Sequence, residues 1–154
     1  MTLDTEAPLQ LTDDGPNNER ANPRPVHHTP ASSVSEATTG QTAGMIRQSA
    51  IVNLSPSICG TLMRAQPHSS SAVHHHGEQV YCVSGSKGAI VWNGETGKEE
   101  RVEMRKGDWA LIPAFREHQE VNDGDDEAVW VIVRAPGGVP VVENLEGWGG
   151  SKKE

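Results

Sequence analysis

Between residues 45 and 134, the chain alternates short stretches of apolar and β-branched residues with turn-forming residues. These stretches are typical of strands, at 46–53, 57–65, 71–76, 79–84, 87–93, 101–104, 108–112, 117–122 and 127–134. Asn93-Gly94 is a strong hairpin signal, and the polar run 122–126 indicates another turn. No segment of useful length has the period of a helix. Strands of this length and spacing predict an all-β sandwich or barrel.

The two ends of the chain lack this pattern. Residues 1–40 are rich in Pro, Asn, Thr, Ser and Glu. Such a segment cannot bury enough apolar surface to offset the entropy that it would lose on ordering. We therefore predict a disordered tail over 1–40, one β-barrel domain over 41–146 and a flexible C-terminus over 147–154. A further edge strand over 139–142 is a candidate that Pro140 weakens.

Charge and composition argue against several kinds of partner. The 154 residues include 13 Lys and Arg against 21 Asp and Glu, a formal net charge of −8, and the basic residues do not cluster. Binding to nucleic acid or to an acidic membrane surface needs a basic face, so we expect neither. The longest apolar run, 128–133, is too short to span a bilayer, and the N-terminus has no signal-peptide pattern. The sequence predicts a soluble, cytoplasmic protein in which Cys59 and Cys82 are reduced, buried side chains.

Histidine is concentrated in one segment, His74-His75-His76-Gly77-Glu78. Side chains alternate along a strand, so His74 and His76 point to one side and His75 to the other. If the strand continued unbroken, Glu78 would share the face of His74 and His76. Two imidazoles and a carboxylate on one face suit a divalent transition metal, although a His-x-His pair also occurs on ordinary surfaces.

A later segment, 107–122, contains another candidate ligand. Gly107 opens a predicted strand, Pro113 ends it, and His118 begins the next strand. This strand-turn-strand arrangement would return His118 across the interior of a barrel toward the histidine triplet. The predicted metal ligands are therefore His74, His76, Glu78 and His118.

These two segments resemble the two motifs of the cupin superfamily. The second motif is matched in register by Gly107, Pro113, His118 and Asn122, with Phe115 in place of the usual second Gly. The first motif is matched by the pair His74 and His76, then Glu78 and Gly85. The resemblance covers roughly 45–134 and looks closest to small fungal cupins of mostly unassigned activity. It implies a single-domain, RmlC-like jelly-roll barrel with a metal in its mouth.

The first motif departs from the family pattern in its spacing. One residue separates His76 from Glu78, where the family has three or four. Counting back from Gly85 instead, the two histidine positions would be Ala72 and His74. Two alternatives follow. Either Glu78 is a ligand, or a water molecule or a substrate atom completes a site made of histidines alone.

The resemblance also implies a function, a metal-dependent enzyme that acts on a small oxygen-bearing molecule. Fe(II) is the favoured metal, with Zn, Ni or Mn as alternatives. Fe(II) would give a dioxygenase or another oxidoreductase for an aromatic or polyketide-like compound of secondary metabolism. The alternatives are a metal-assisted lyase or isomerase, and a cupin that binds a ligand without catalysis. The expected partners are the small-molecule substrate and, through a strand edge near 46–53, a second copy of the chain.

Alternation along the strand at 79–84 gives expectations for two more residues. Tyr81 is expected to face away from the ligands and to pack in the core. Cys82 could instead point into the barrel, where packing is its simplest role.

Four polar residues near strand ends are further candidates. Arg64 and Arg134 could each meet a substrate carboxylate, but an arginine at a strand end is usually solvated. Gln119 and Glu120 follow His118, so one of them faces the interior and could form a hydrogen bond to a ligand.

Overall fold

The computed structural model of the protein describes residues 23–36, 42–135, 137 and 140–150. The regular structure of this part consists of one short 3₁₀ turn, Ala31–Ser33, and twelve β-strands. The strands are β1 (Ser35–Glu36), β2 (Met45–Ile51), β3 (Cys59–Ala65), β4 (Ser69–Ser70), β5 (His74–His76), β6 (Gln79–Gly85), β7 (Lys87–Asn93), β8 (Glu99–Arg105), β9 (Trp109–Ile112), β10 (His118–Asn122), β11 (Ala128–Arg134) and β12 (Val142–Asn144). The predicted all-β fold class is confirmed.

The strands form two antiparallel sheets that face each other as a jelly-roll barrel. One sheet has the order β1-β2-β3-β11-β6-β9, and the other has the order β12-β5-β10-β7-β8, with β4 also paired to β10. Neighbours such as β3 and β11 are far apart in sequence. The topology therefore brings distant segments side by side, which is how one site can draw on both sequence motifs.

The alternation of side chains determines which face of each strand lies inside. Every second residue of β3 from Cys59 to Ala65 is buried, and β11 follows the same rule from Ala128 to Arg134. The apolar core between the sheets consists of Met45, Met63, Ala65, Tyr81, Val83, Ile90, Met104, Ile112, Ala128, Trp130 and Ile132. This core fills one part of the barrel, and polar side chains fill the part next to it.

Part of the segment predicted as a disordered tail has a defined place on the barrel. β1 pairs antiparallel with β2, with Ser35 opposite Ser49, and the Thr29 hydroxyl donates to the Ala50 carbonyl at 3.0 Å. The edge of β2 supplies these backbone partners, which the composition of the segment does not reveal. The remaining residues of the predicted tail lie outside the described ones.

The C-terminal region adds β12 beside the histidine segment. β12 pairs with β5, with Val142 opposite His76, so the edge strand predicted over 139–142 lies further toward the C-terminus. Within the end predicted as flexible, the Gly149 amide donates to the Glu117 carboxylate at 2.7 Å, and the last four residues lie outside the described part. Within the described ranges, no helix has the length and apolar character needed to cross a bilayer.

Candidate metal centre

Three histidines meet inside the barrel where β5 lies beside β10. His74 and His76 are two residues apart on β5, so both side chains point inward and both are buried. His118 begins β10 directly opposite His74. The ring centroids are 4.3 Å apart for His74–His118, 4.6 Å for His76–His118 and 5.5 Å for His74–His76. One possible ligand atom from each ring lies within 4.8 Å of the other two, so this group of three could hold a metal ion.

Each of the three rings is anchored through its Nδ1 atom. The Nδ1 atoms of His74, His76 and His118 lie 2.8, 2.6 and 2.8 Å from the carbonyl oxygens of Ala72, Gly77 and Arg116, respectively. A carbonyl oxygen only accepts hydrogen bonds, so each Nδ1 carries the proton and Nε2 of the neutral ring has a free lone pair. The backbone therefore fixes the tautomer that a metal ligand requires.

The Nε2 atoms of His76 and His118 lie only 3.0 Å apart. With the ring protons on Nδ1, two lone pairs face each other, and this contact is favourable only when a positive charge lies between them. Burial, followed by the charge of His118, lowers the pKa of His76 from 6.5 to about 3. His76 is therefore neutral at pH 7, the form in which imidazole binds metals. The three rings fit a transition metal in both geometry and donor type.

A buried carboxylate lies beside the rings. Glu120 is two residues after His118 on β10 and is 1% exposed. Its Oε1 accepts a hydrogen bond from the Tyr81 hydroxyl at 2.6 Å, and it lies 3.3 Å from Nε2 of His74 and 3.5 Å from Nε2 of His118. Its Oε2 has no hydrogen-bond partner among the described residues. One carboxylate oxygen is thus available to a ligand.

The surroundings of Glu120 and Tyr81 determine which of the two side chains is ionised. Burial by itself raises the pKa of Glu120, but the electrostatic attraction and hydrogen bonding of the neighbouring His74 and His118 outweigh it and hold the pKa well below its usual value. Burial and then the charge of Glu120 hold the pKa of Tyr81 well above 10. Glu120 is therefore the anion and Tyr81 the neutral donor.

Glu78, predicted as the fourth ligand, is exposed and lies outside the group of three histidines. β5 ends at His76 and β6 begins at Gln79, so Gly77 and Glu78 interrupt the alternation. Gln79 rather than Glu78 begins the inward face of β6. This break moves every later residue of β6 to the face opposite to the one expected from an unbroken strand.

The expected orientations of Tyr81 and Cys82 are wrong for the same reason, although Tyr81 packs in the core as predicted. Tyr81 points inward, and its hydroxyl lies 3.4 Å from Nε2 of both His76 and His118. Cys82 lies on the outer face opposite Trp109, which is 67% exposed. The glycine that follows the histidine triplet and the short spacing between His76 and Glu78 are the signals of the break in the sequence.

The turn before His118 contains a left-handed residue. Phe115 stands where the resembling motif has a second Gly, and its φ of 62° lies in the region that favours glycine. Its amide donates to the His76 carbonyl at 2.8 Å, which ties the turn to β5. Its exposed ring contacts His75 edge-on, with 5.9 Å between centroids. His75 thus points away from the site, as alternation predicts.

The fold and the site together define a class of protein, a small antiparallel jelly roll with three inward histidines that could hold a divalent metal. A family model described as a cupin domain matches residues 61–134, which include all three histidines. This match agrees with the two cupin-like motifs of the sequence and shows a cupin domain over that stretch of the chain.

Solved structures of oxalate decarboxylase from Bacillus subtilis share this fold. One, from a study of the Mn(II) centres of that enzyme, aligns with a TM-score of 0.60 and 17% identity over 68% of this chain and 29% of that chain. A point mutant of the same enzyme aligns with a TM-score of 0.62 and 16% identity over 72% of this chain and 30% of that one. This chain spans less than a third of the length of those relatives, and at such identity the likeness shows the fold alone. No curated protein matches the sequence.

Proposed function

We propose that this chain is a metal-dependent enzyme that binds a divalent transition metal through His74, His76 and His118 and acts on a small oxygen-bearing substrate. The observation that carries the proposal is the convergence of three buried Nε2 atoms from rings whose Nδ1 atoms all donate to backbone carbonyls. Packing alone would not require three lone pairs to be directed into one shared space.

Glu120 is the carboxylate that we propose as a fourth ligand in place of Glu78. Its Oε1 lies within 3.5 Å of two of the Nε2 atoms, and its Oε2 is buried without a partner among the described residues. A set of three imidazoles and one carboxylate suits Fe(II), Mn(II) or Zn(II). The hydrogen bond from Tyr81 would hold the carboxylate in position.

The metal, when bound, would supply Lewis acidity or, as Fe(II), redox chemistry with O2. The residues of the chain bind and orient the substrate and move protons. Tyr81 is neutral, lies beside two of the rings and donates its one hydroxyl proton to Glu120. A substrate atom can receive that proton only when the Tyr81 hydroxyl turns from Glu120 toward the substrate, and Glu120 orients the hydroxyl in the free site.

We favour oxidation of an aromatic or polyketide-like compound by a dioxygenase with Fe(II). The second candidate is a metal-assisted lyase or isomerase. Two observations favour this second candidate. The structural relatives are named as oxalate decarboxylases with Mn(II) centres, and the Tyr81–Glu120 pair can deliver a proton to a substrate carbon or oxygen.

The first test is the metal content of protein purified without a histidine tag. We expect elemental analysis to find close to one transition-metal ion per chain after loading, and we expect His118→Ala to lose it. His75→Ala is the matched control, because His75 belongs to the same triplet but points away from the site, and it should retain the metal. Metal far below one ion per wild-type chain, or equal retention by both variants, would contradict the proposal.

Oxygen uptake separates the two candidate reactions. Iron-loaded protein is mixed with phenols and diketones, and O2 consumption that the His118→Ala variant lacks would favour the dioxygenase. Product formed without O2 uptake would favour the lyase or isomerase. Metal retention with neither result would leave a cupin that binds its ligand without catalysis.

A further inference from the structure

A second group of buried polar side chains lies next to the histidines. Cys59 begins β3, Arg134 ends β11 and Gln79 begins β6, and the strand register places all three in one row across the sheet. All three side chains point into the barrel, with exposures of 1, 6 and 1%, respectively. Apart from Thr61 and the Tyr81 hydroxyl, the inward residues further along these three strands are apolar, so this row is a polar end of the interior.

Arg134 is charged and buried, and its hydrogen bonding is incomplete. One of its terminal nitrogens donates to Thr61 Oγ1 at 2.6 Å, but its Nε has no partner among the described residues. No carboxylate in the described part of the chain forms an ion pair with it. Burial raises the pKa of the Cys59 thiol, although the charge of Arg134 and a hydrogen bond to it act in the opposite direction. The thiol is therefore a neutral neighbour of Arg134 and does not supply the missing negative charge. An uncompensated guanidinium in the interior is strongly unfavourable, which points to an anion that the fold itself does not provide.

Gln79, which lies beside Arg134, also lacks hydrogen-bond partners. Neither Oε1 nor Nε2 of its amide has a hydrogen-bond partner among the described residues, although the side chain is almost fully buried. Gln79 is also the direct cross-strand neighbour of Arg134. Two adjacent buried groups with unused donors indicate a shared ligand.

The row of Cys59, Arg134 and Gln79 lies one inward-facing position along β6 from Tyr81, which contacts the candidate metal centre. Gln79 and Tyr81 are on the inward face of β6, two residues and therefore roughly 7 Å apart along the strand, and the Tyr81 hydroxyl contacts His76 and His118. Burial dominates the raised pKa of Tyr81, but the charges of Arg134 and Arg47 oppose it, so both guanidinium groups lie within electrostatic reach of the hydroxyl. Arg47 has an interaction of its own.

We propose that Arg134, with the Gln79 amide and the Thr61 hydroxyl, binds a carboxylate group of the substrate beside the metal centre. This inference rests on the proposed function and names its substrate class, a small carboxylic acid whose other oxygen reaches the metal. A guanidinium matches a carboxylate with two parallel hydrogen bonds, and the amide adds one more donor. A divalent cation held by neutral imidazoles and one carboxylate, together with the nearby guanidinium, leaves the interior with a net positive charge, and an anionic substrate reduces that charge.

The test uses acetate and oxalate as probes, with acetamide as the neutral analogue of acetate, at constant ionic strength. Binding is measured by calorimetry and by thermal shift on metal-free and metal-loaded full-length protein. We expect Arg134→Gln to weaken acetate and oxalate binding by about tenfold or more without a comparable effect on acetamide. Arg64→Gln is the matched control, because Arg64 lies on the outer face of β3 and pairs with Glu127, and it should bind the probes as the wild type does.

A second variant keeps the proposal testable if Arg134→Gln fails to fold. Gln79→Glu has nearly the same shape and places a carboxylate of the protein beside Arg134. We expect it to exclude acetate while the fold remains intact. Wild-type protein that binds neither probe, or variants at Arg134 and Gln79 that bind acetate as tightly as the wild type, would overturn the inference.

The outcomes also separate this inference from the proposed function. Acetate binding that depends on Arg134 in protein unable to hold a metal would support the carboxylate subsite and remove the metal centre. Full metal loading without acetate or oxalate binding would support the metal centre and remove the carboxylate subsite.

Discussion

The protonation of His76 links the candidate site to the stability of the fold. The pKa of His76 is about 3 in the folded protein against 6.5 for the free side chain, because the ring is buried and lies beside His118. Below pH 6.5 the unfolded chain therefore takes up a proton that the folded chain does not. The contribution to stability is complete above pH 6.5 and is lost as the pH falls toward 3.

We therefore expect the free energy of unfolding of the metal-free protein to fall by up to about 1.4 kcal/mol per pH unit at this position over that window. Urea titrations at a series of pH values measure the slope. His76→Gln should reduce the slope by about one proton, and His75→Gln should leave it unchanged. The same slope for both variants would contradict this assignment.

The residues of the site differ in how far the sequence predicted them. His74, His76 and His118 followed from alternation and from the motif around Pro113, and the fold brings them together. Glu120 was available to the same reasoning, because it lies two residues after His118 on the same strand. Its hydrogen bond comes from the Tyr81 hydroxyl, and Tyr81 was expected on the opposite face.

At the scale of elements, the two sheets approach closely where Gly88 of β7 meets Trp130 of β11. A Cβ atom at Gly88 would lie 2.3 Å from Cζ2 of Trp130, whose side chain is fully buried. An alanine there must displace the indole or separate the sheets. The absence of a side chain at Gly88 is therefore a packing requirement rather than a turn requirement.

We expect Gly88→Ala to lower the free energy of unfolding by roughly 1–3 kcal/mol, as overpacking of a core does. Gly60→Ala is the matched control in another strand, because a Cβ at Gly60 would be 3.6 Å from Ile51, an ordinary contact. Urea unfolding of the two variants gives the comparison. Equal stabilities would show that Trp130 can move aside without cost.

Alternation is reliable within a strand and fails across a break. In β10, every second residue is buried as alternation predicts, namely His118, Glu120 and Asn122. The faces of β6 were inverted because Gly77 and Glu78 separate it from β5, and a shift of one residue moves every side chain to the other face. The break itself arises where the chain passes from one sheet to the other.

At the scale of the whole molecule, the N-terminal segment covers the edge of β2. The contacts are the pairing of Ser35 with Ser49 and the hydrogen bond from Thr29 to Ala50. They also cover part of the strand edge, near 46–53, that the sequence assigned to a second copy of the chain. The homodimer and the cytoplasmic location stay predictions.

We expect a chain that begins at residue 42 to be less stable than one that begins at residue 23, by on the order of 1–2 kcal/mol, because the β2 edge loses its backbone partners. The shorter chain should also associate more readily through the bare edge. Urea unfolding and light scattering measure the two effects, and scattering from the full chain tests the homodimer. If the two chains have the same free energy of unfolding and the same oligomeric state, β1 contributes nothing to either property.

The sequence by itself determined that the protein is all-β, where most strands and turns lie, and that His74, His76 and His118 are candidate ligands. These properties depend on short-range patterns, namely alternation, turn residues and motif spacing. Only the tertiary structure decided that Glu120 rather than Glu78 accompanies the histidines, and that Arg134 and Gln79 form a row beside them. Those neighbours depend on where alternation restarts in β6 and on the register of strands far apart in the chain, and both are set when the two sheets pack together.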